Sequence, residues 1–91
     1  MAYAIFLHPK AVKALRSIHP KEAARVKRAL RALEEDPFSP RSGADIRKLR
    51  GTQGRHDLSR LRIGRFRVIY AVIGKEVQVS DLFERGAGYE V

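Results

Sequence analysis

A chain of 91 residues with 19 lysines and arginines against 10 aspartates and glutamates carries a net charge of +9, and 44% of it is hydrophobic. That length supplies one core and hence one domain, residues 1–91, and the charge predicts an anionic partner, either nucleic acid or a strongly acidic protein. With no cysteine, disulfides and thiolate metal sites are excluded; no apolar run nears the ~20 residues of a membrane span, and no N-terminal apolar leader precedes a cleavage site, so no membrane partner and a cytoplasmic location are expected.

Tyr3 to His8 is short, apolar and rich in strand formers, which predicts a first strand. Pro9 suits the first position of a helix, and Val12, Leu15 and Ile18 recur at helical spacing while Lys10, Lys13 and Arg16 turn away. His19-Pro20 breaks this helix and opens another, running to about Glu35 with Ala23, Val26, Leu30 and Leu33 as its apolar stripe. Asp36-Pro-Phe-Ser-Pro40 stops it and begins a loop. The basic segment Ile46 to Gly51 either starts a strand or lies along the sheet edge, and Gln53-Gly54 reads as a turn.

Arg60 to Ile73 is the most informative stretch. Two alternating runs flank Gly64-Arg65, a pairing that predicts a type II′ hairpin turn and fixes the register: Ile63 opposes Phe66, Arg62 opposes Arg67, Leu61 opposes Val68 and Arg60 opposes Ile69. Leu61, Ile63, Phe66, Val68 and Tyr70 then form a core face, and Arg60, Arg62 and Arg67 share the other. Gly74-Lys75 makes a second tight turn, after which Glu76 to Phe83 alternates as a further strand. Strict alternation from that turn puts Gln78, Ser80 and Glu84 on the open face and Arg85 on the covered one. A bulge or the strand's end near Gly86 is needed to bring Arg85 round. The expected fold class is α+β, a helical hairpin packed on one face of a small, mainly antiparallel sheet in the order β-α-α-β-β-β.

Like charges directly opposite on neighbouring strands are destabilising by roughly 0.2–1 kcal/mol, so the opposed arginines point to an anion. The alternative is a solvated basic face. Clustering favours the anion: Arg47, Lys48, Arg50, Arg55, Arg60, Arg62, Arg65 and Arg67 face the single acid Asp57 in that segment, which holds seven of the nine net positive charges.

Lys48-Leu-Arg-Gly51, Asp57 to Tyr70 with its string Arg-Leu-Arg-Ile-Gly-Arg-Phe-Arg-Val-Ile-Tyr, and Arg85-Gly-Ala-Gly-Tyr89 together resemble the RelE/ParE superfamily of type II toxin–antitoxin toxins, nearer the RelE branch. The resemblance spans essentially the whole chain. It implies a small basic toxin held by a cognate acidic antitoxin in a hetero-oligomer. In the RelE branch such a toxin is an endoribonuclease that cuts mRNA in the ribosomal A site and so stops translation; in the ParE branch it inhibits DNA gyrase. Carried over by position, Arg60, Arg62, Arg67, Arg85 and Tyr89 match the family's functional residues. Glu84 stands where many relatives have a basic residue and Ser59 where many have tyrosine, which also leaves open a member that only binds antitoxin and DNA.

RNA carries its own nucleophile, the 2′-OH, so such an enzyme needs no cofactor and no metal ligands. It must remove a proton, stabilise a phosphorane and protonate the leaving 5′-oxygen. Arginine suits the second task, because its guanidinium donates two parallel hydrogen bonds to phosphate and keeps its charge. Tyr89 is the favoured base, with Glu84 and His56 as further acid–base candidates. Lys48, Arg50, Arg55 and Arg65 are expected to bind the RNA backbone, with solvated loop residues as the alternative.

Overall fold

The computed structural model describes residues 2–49 and 57–85. Its elements are β1 (Ala4–Leu7), α1 (Pro9–Ser17), α2 (Pro20–Glu35), β2 (Asp45–Lys48), β3 (Leu58–Ile63), β4 (Phe66–Ile73) and β5 (Glu76–Glu84). The sheet runs in the order β1-β5-β4-β3-β2, with β1 parallel to β5 and every other pair antiparallel. The expected α+β architecture is therefore present, with one strand more than the predicted order. The basic segment contributes β2, a four-residue edge strand.

Both helices begin on proline, where the missing N–H costs nothing. His19 caps α2 with its side chain: Nδ1 accepts from the Lys21 N–H at 3.1 Å. Val26, Leu30 and Leu33 of α2 join Ala11 of α1 in covering Leu61, Phe66, Val68, Tyr70, Val77, Val79 and Leu82. In α1 the fully buried position is Ala11; Val12, Leu15 and Ile18, the predicted stripe, are half-buried, and Leu15 and Ile18 pack against the core.

Tyr70 is fully buried, and its hydroxyl donates to the Pro37 carbonyl at 2.7 Å, tying β4 to the loop that leaves α2. Burial raises its phenol from 10.0 to about 12 by disfavouring the phenolate. The native state thus holds its proton where the unfolded chain has lost it. This contribution is full below pH 10.0 and disappears as pH rises to about 12. Tyr70→Phe strands the buried Pro37 carbonyl, with an expected cost of about 1–3 kcal/mol at neutral pH. Urea unfolding across alkaline pH checks both points, since the variant should lack the wild type's loss of stability in that window.

Register in the β3–β4 hairpin is as the turn predicts: Ile63 opposite Phe66, Arg62 opposite Arg67, Leu61 opposite Val68 and Arg60 opposite Ile69. Gly64 has φ +58° while no residue other than glycine has a positive φ among the described residues, which fits a type II′ turn. β5 departs from strict alternation. Tyr70 pairs with Val79 and Ile69 with Asp81, so Ser80 is an extra residue, a bulge whose hydroxyl donates to the Ile69 carbonyl at 3.3 Å. The phase change expected near Gly86 thus occurs earlier, at Ser80. Beyond it Phe83 pairs with Arg67 and Glu84 with Phe66, reversing the faces given by uninterrupted alternation.

Candidate nucleic-acid interface

The sheet face away from the helices is built by one alternation running across three strands. Leu61 points into the core, so its neighbours Arg60 and Arg62 point out; Phe66 and Val68 point in, so Arg67 points out. Ile46 on β2 is buried opposite Leu61, which turns Asp45 and Arg47 to the open face, opposite Arg62 and Arg60. On β5 the Ser80 bulge carries Phe83 to this face and gives Arg85 the same phase. The Arg85 backbone N–H donates to the Arg65 carbonyl, so Arg85 follows β5 beside the hairpin turn.

Four arginines of the predicted site, Arg60, Arg62, Arg67 and Arg85, thus converge. Arg67 donates from Nη1 to the Gly64 carbonyl at 3.2 Å and to the Phe66 carbonyl at 3.3 Å, which braces its side chain against the turn. Its guanidinium is pushed below the ordinary arginine value, first by burial and then by the charges of Arg62, Arg60 and Arg85, with Asp45 acting in the opposite direction. Arg60 is largely covered, with 18% of its side chain exposed, and its Nε is buried without a hydrogen-bond partner.

Asp45 was absent from the sequence-derived site. Its Oδ2 accepts from Arg62 Nε at 3.0 Å and its Oδ1 from Arg60 Nη2 at 3.3 Å, so one carboxylate bridges two of the four guanidinium groups. Arg47 was counted in the basic cluster but given no role; it is exposed on the same face. The signal for both was the alternation of Asp45-Ile46-Arg47-Lys48 around a single apolar residue.

Three residues of the sequence-derived site lie off the arginine face. Glu84 lies on the helix-side face, 3.5 Å from Arg65 Nε, and does not look onto the arginines as an acid or base would. Arg65 pairs with Glu22 of α2 at 2.8 Å and stacks over Phe66 at 5.3 Å, so it fastens the turn to the helix and does not extend the basic face. Lys48 has the same phase as Ile46, pairs with Asp57 at 2.8 Å and lines a cavity of about 640 Å³ with Phe38, Pro40, Ser59 and Val72 on the helix side. The reasons differ: the Ser80 bulge reverses the alternation that predicts an open-face Glu84, the turn carries Arg65 toward α2, and the phase of Ile46 turns Lys48 to the helix side. Arg50, Arg55, His56 and Tyr89 lie outside the described residues. Glu84→Ala, a surface change away from the arginines, is accordingly expected to alter stability by less than about 0.5 kcal/mol in urea unfolding; a larger loss would mean that its contact with Arg65 holds the turn.

A sequence profile described as the ParE toxin of type II toxin–antitoxin system, parDE, matches residues 5–87. The chain belongs to the RelE/ParE superfamily of type II toxins. Within it, this toxin is 30% identical over 73 residues to the RelE1 protein of Methanocaldococcus jannaschii, covering 80% of this chain and 77% of that one. The RelE–RelB complex of Pyrococcus horikoshii contains a structure similar to it at a TM-score of 0.79 and 37% identity, covering 97% of this chain and 100% of that chain. The isolated RelE toxin of E. coli shares the fold at a TM-score of 0.74 and 23% identity, covering 97% of this chain and 89% of that one. The first two of these relatives place this RelE/ParE toxin near the RelE branch.

Proposed function

We propose that this toxin is a ribosome-dependent endoribonuclease that cleaves mRNA in the A site and thereby inhibits translation. The observation that carries the reading is the convergence of Arg60, Arg62, Arg67 and Arg85 on one sheet face. A phosphodiester attacked by its own 2′-OH passes through a phosphorane with added negative charge, and fixed guanidinium groups stabilise that charge without reorganising at the moment of reaction. These arginines supply the electrostatics and cannot themselves take a proton at neutral pH. Proton removal is assigned to Tyr89, on the strength of its match to the family's C-terminal tyrosine, and Tyr89→Phe tests it. The similarity to a RelE held in a complex with RelB supports an acidic antitoxin as partner, whose carboxylates would neutralise the same basic face.

The ParE profile favours one second reading, inhibition of DNA gyrase through protein binding. The two separate in a paired assay of reporter synthesis in a cell-free translation reaction and of plasmid supercoiling by gyrase. The leading reading predicts that translation stops and supercoiling continues. The reverse pattern selects the gyrase reading.

A further inference from the structure

Asp45 lies among the arginines of the candidate site. It lies at the start of β2, half-exposed, and its two carboxylate oxygens are each held by a different arginine of the candidate site. Each of those arginines gives it a single N–H, Arg62 through Nε and Arg60 through Nη2. A guanidinium gives a phosphate two parallel hydrogen bonds, so the carboxylate makes fewer bonds with each arginine than a phosphodiester can. The Arg60 contact, at 3.3 Å, is also beyond the usual range of a strong N–H···O bond. Ion pairs as exposed as that between Asp45 and Arg62 are screened by solvent and easily exchanged.

Without an anion the face opposes its own assembly, since Arg62 and Arg67 are directly opposite and Arg47 and Arg60 likewise. Asp45 relieves that repulsion in the free protein. We infer that Asp45 is a resident counter-anion, displaced from Arg60 and Arg62 when an RNA phosphate binds, and that it sets the toxin's RNA affinity below what its arginines alone would give. This rests on the RNA-binding reading above and adds to it a competing group within the site.

The test is the affinity of a short, uncleavable 2′-O-methyl single-stranded RNA, labelled for fluorescence anisotropy, for the wild type and Asp45→Asn. Glu35→Gln, at the end of α2, makes the same change in net charge away from the face. Asp45→Asn is expected to bind about tenfold more tightly at low salt, with the advantage shrinking as salt is added, while Glu35→Gln stays within about twofold of wild type. In the wild type, the Arg62 Nε–H signal in a proton–nitrogen NMR spectrum should move along the same binding curve, a readout available even if Asp45→Asn folds poorly. Equal or weaker binding by Asp45→Asn, or an Arg62 signal that stays still while RNA saturates, overturns the role of Asp45 alone. Absence of any binding by wild type overturns this inference alone, because cleavage that depends on the ribosome does not require affinity for free RNA; the translation assay above tests that reading separately.

Discussion

Arg67→Ala is expected to lower the rate of mRNA cleavage by roughly 10²–10³-fold, the usual loss on removing one preorganised donor to a developing oxyanion. Arg67 stands out because the fold braces it: two backbone carbonyls at the hairpin turn accept from Nη1, and burial together with three neighbouring arginines raises the cost of keeping it charged. A side chain held against such resistance is already in place before substrate arrives. Its removal should not unfold the protein, because the directly opposed charge of Arg62 loses a like-charged neighbour. Thermal unfolding followed by circular dichroism should therefore change by less than about 0.5 kcal/mol while single-turnover cleavage collapses. Arg67→Lys keeps the charge but not the two-pronged geometry and is expected to fall between the two.

Leu61→Ala should do the opposite, damaging stability first. Leu61 is fully buried at the centre of β3, opposite Ile46 on one side and Val68 on the other, and both site arginines of that strand flank it. Truncation leaves a cavity among Val26, Leu30 and Leu33 side chains and their sheet partners, with an expected cost of about 2–5 kcal/mol. For a domain of this size that corresponds to a fall in melting temperature of roughly 8–40 °C. A shift of only a few degrees would mean that the helices do not close over β3 as described.

The hairpin was readable in the sequence because a two-residue glycine turn leaves no freedom in the register, and alternation then assigns every side chain of β3 and β4 to a face. The same reasoning gave α2 its span, since Pro20 starts it and Asp36-Pro37 ends it. What lay beyond reach was a matter of long-range packing. The Ser80 bulge is a one-residue mismatch between β5 and β4, and nothing in Val77-Gln-Val-Ser-Asp-Leu82 marks which residue will be the extra one. Its consequence is large, because every side chain after it changes face, taking Glu84 out of the site and giving Arg85 the phase of Arg67. β2 was obscured by its brevity and its basic composition. Only once Ile46 is seen to pack against the core do Asp45 and Arg47 fall on the arginine face and Lys48 on the other.

In the proposed function the arginine face cuts translated RNA. Mapping mRNA 5′ ends by primer extension in a cell-free translation reaction tests it most directly, with Arg67→Ala and ribosome-free RNA run alongside. Wild-type toxin should give new 5′ ends within the reading frame that appear only on translated message and vanish in the variant. Intact message in the presence of wild-type toxin, or the same cuts made by Arg67→Ala, would contradict it.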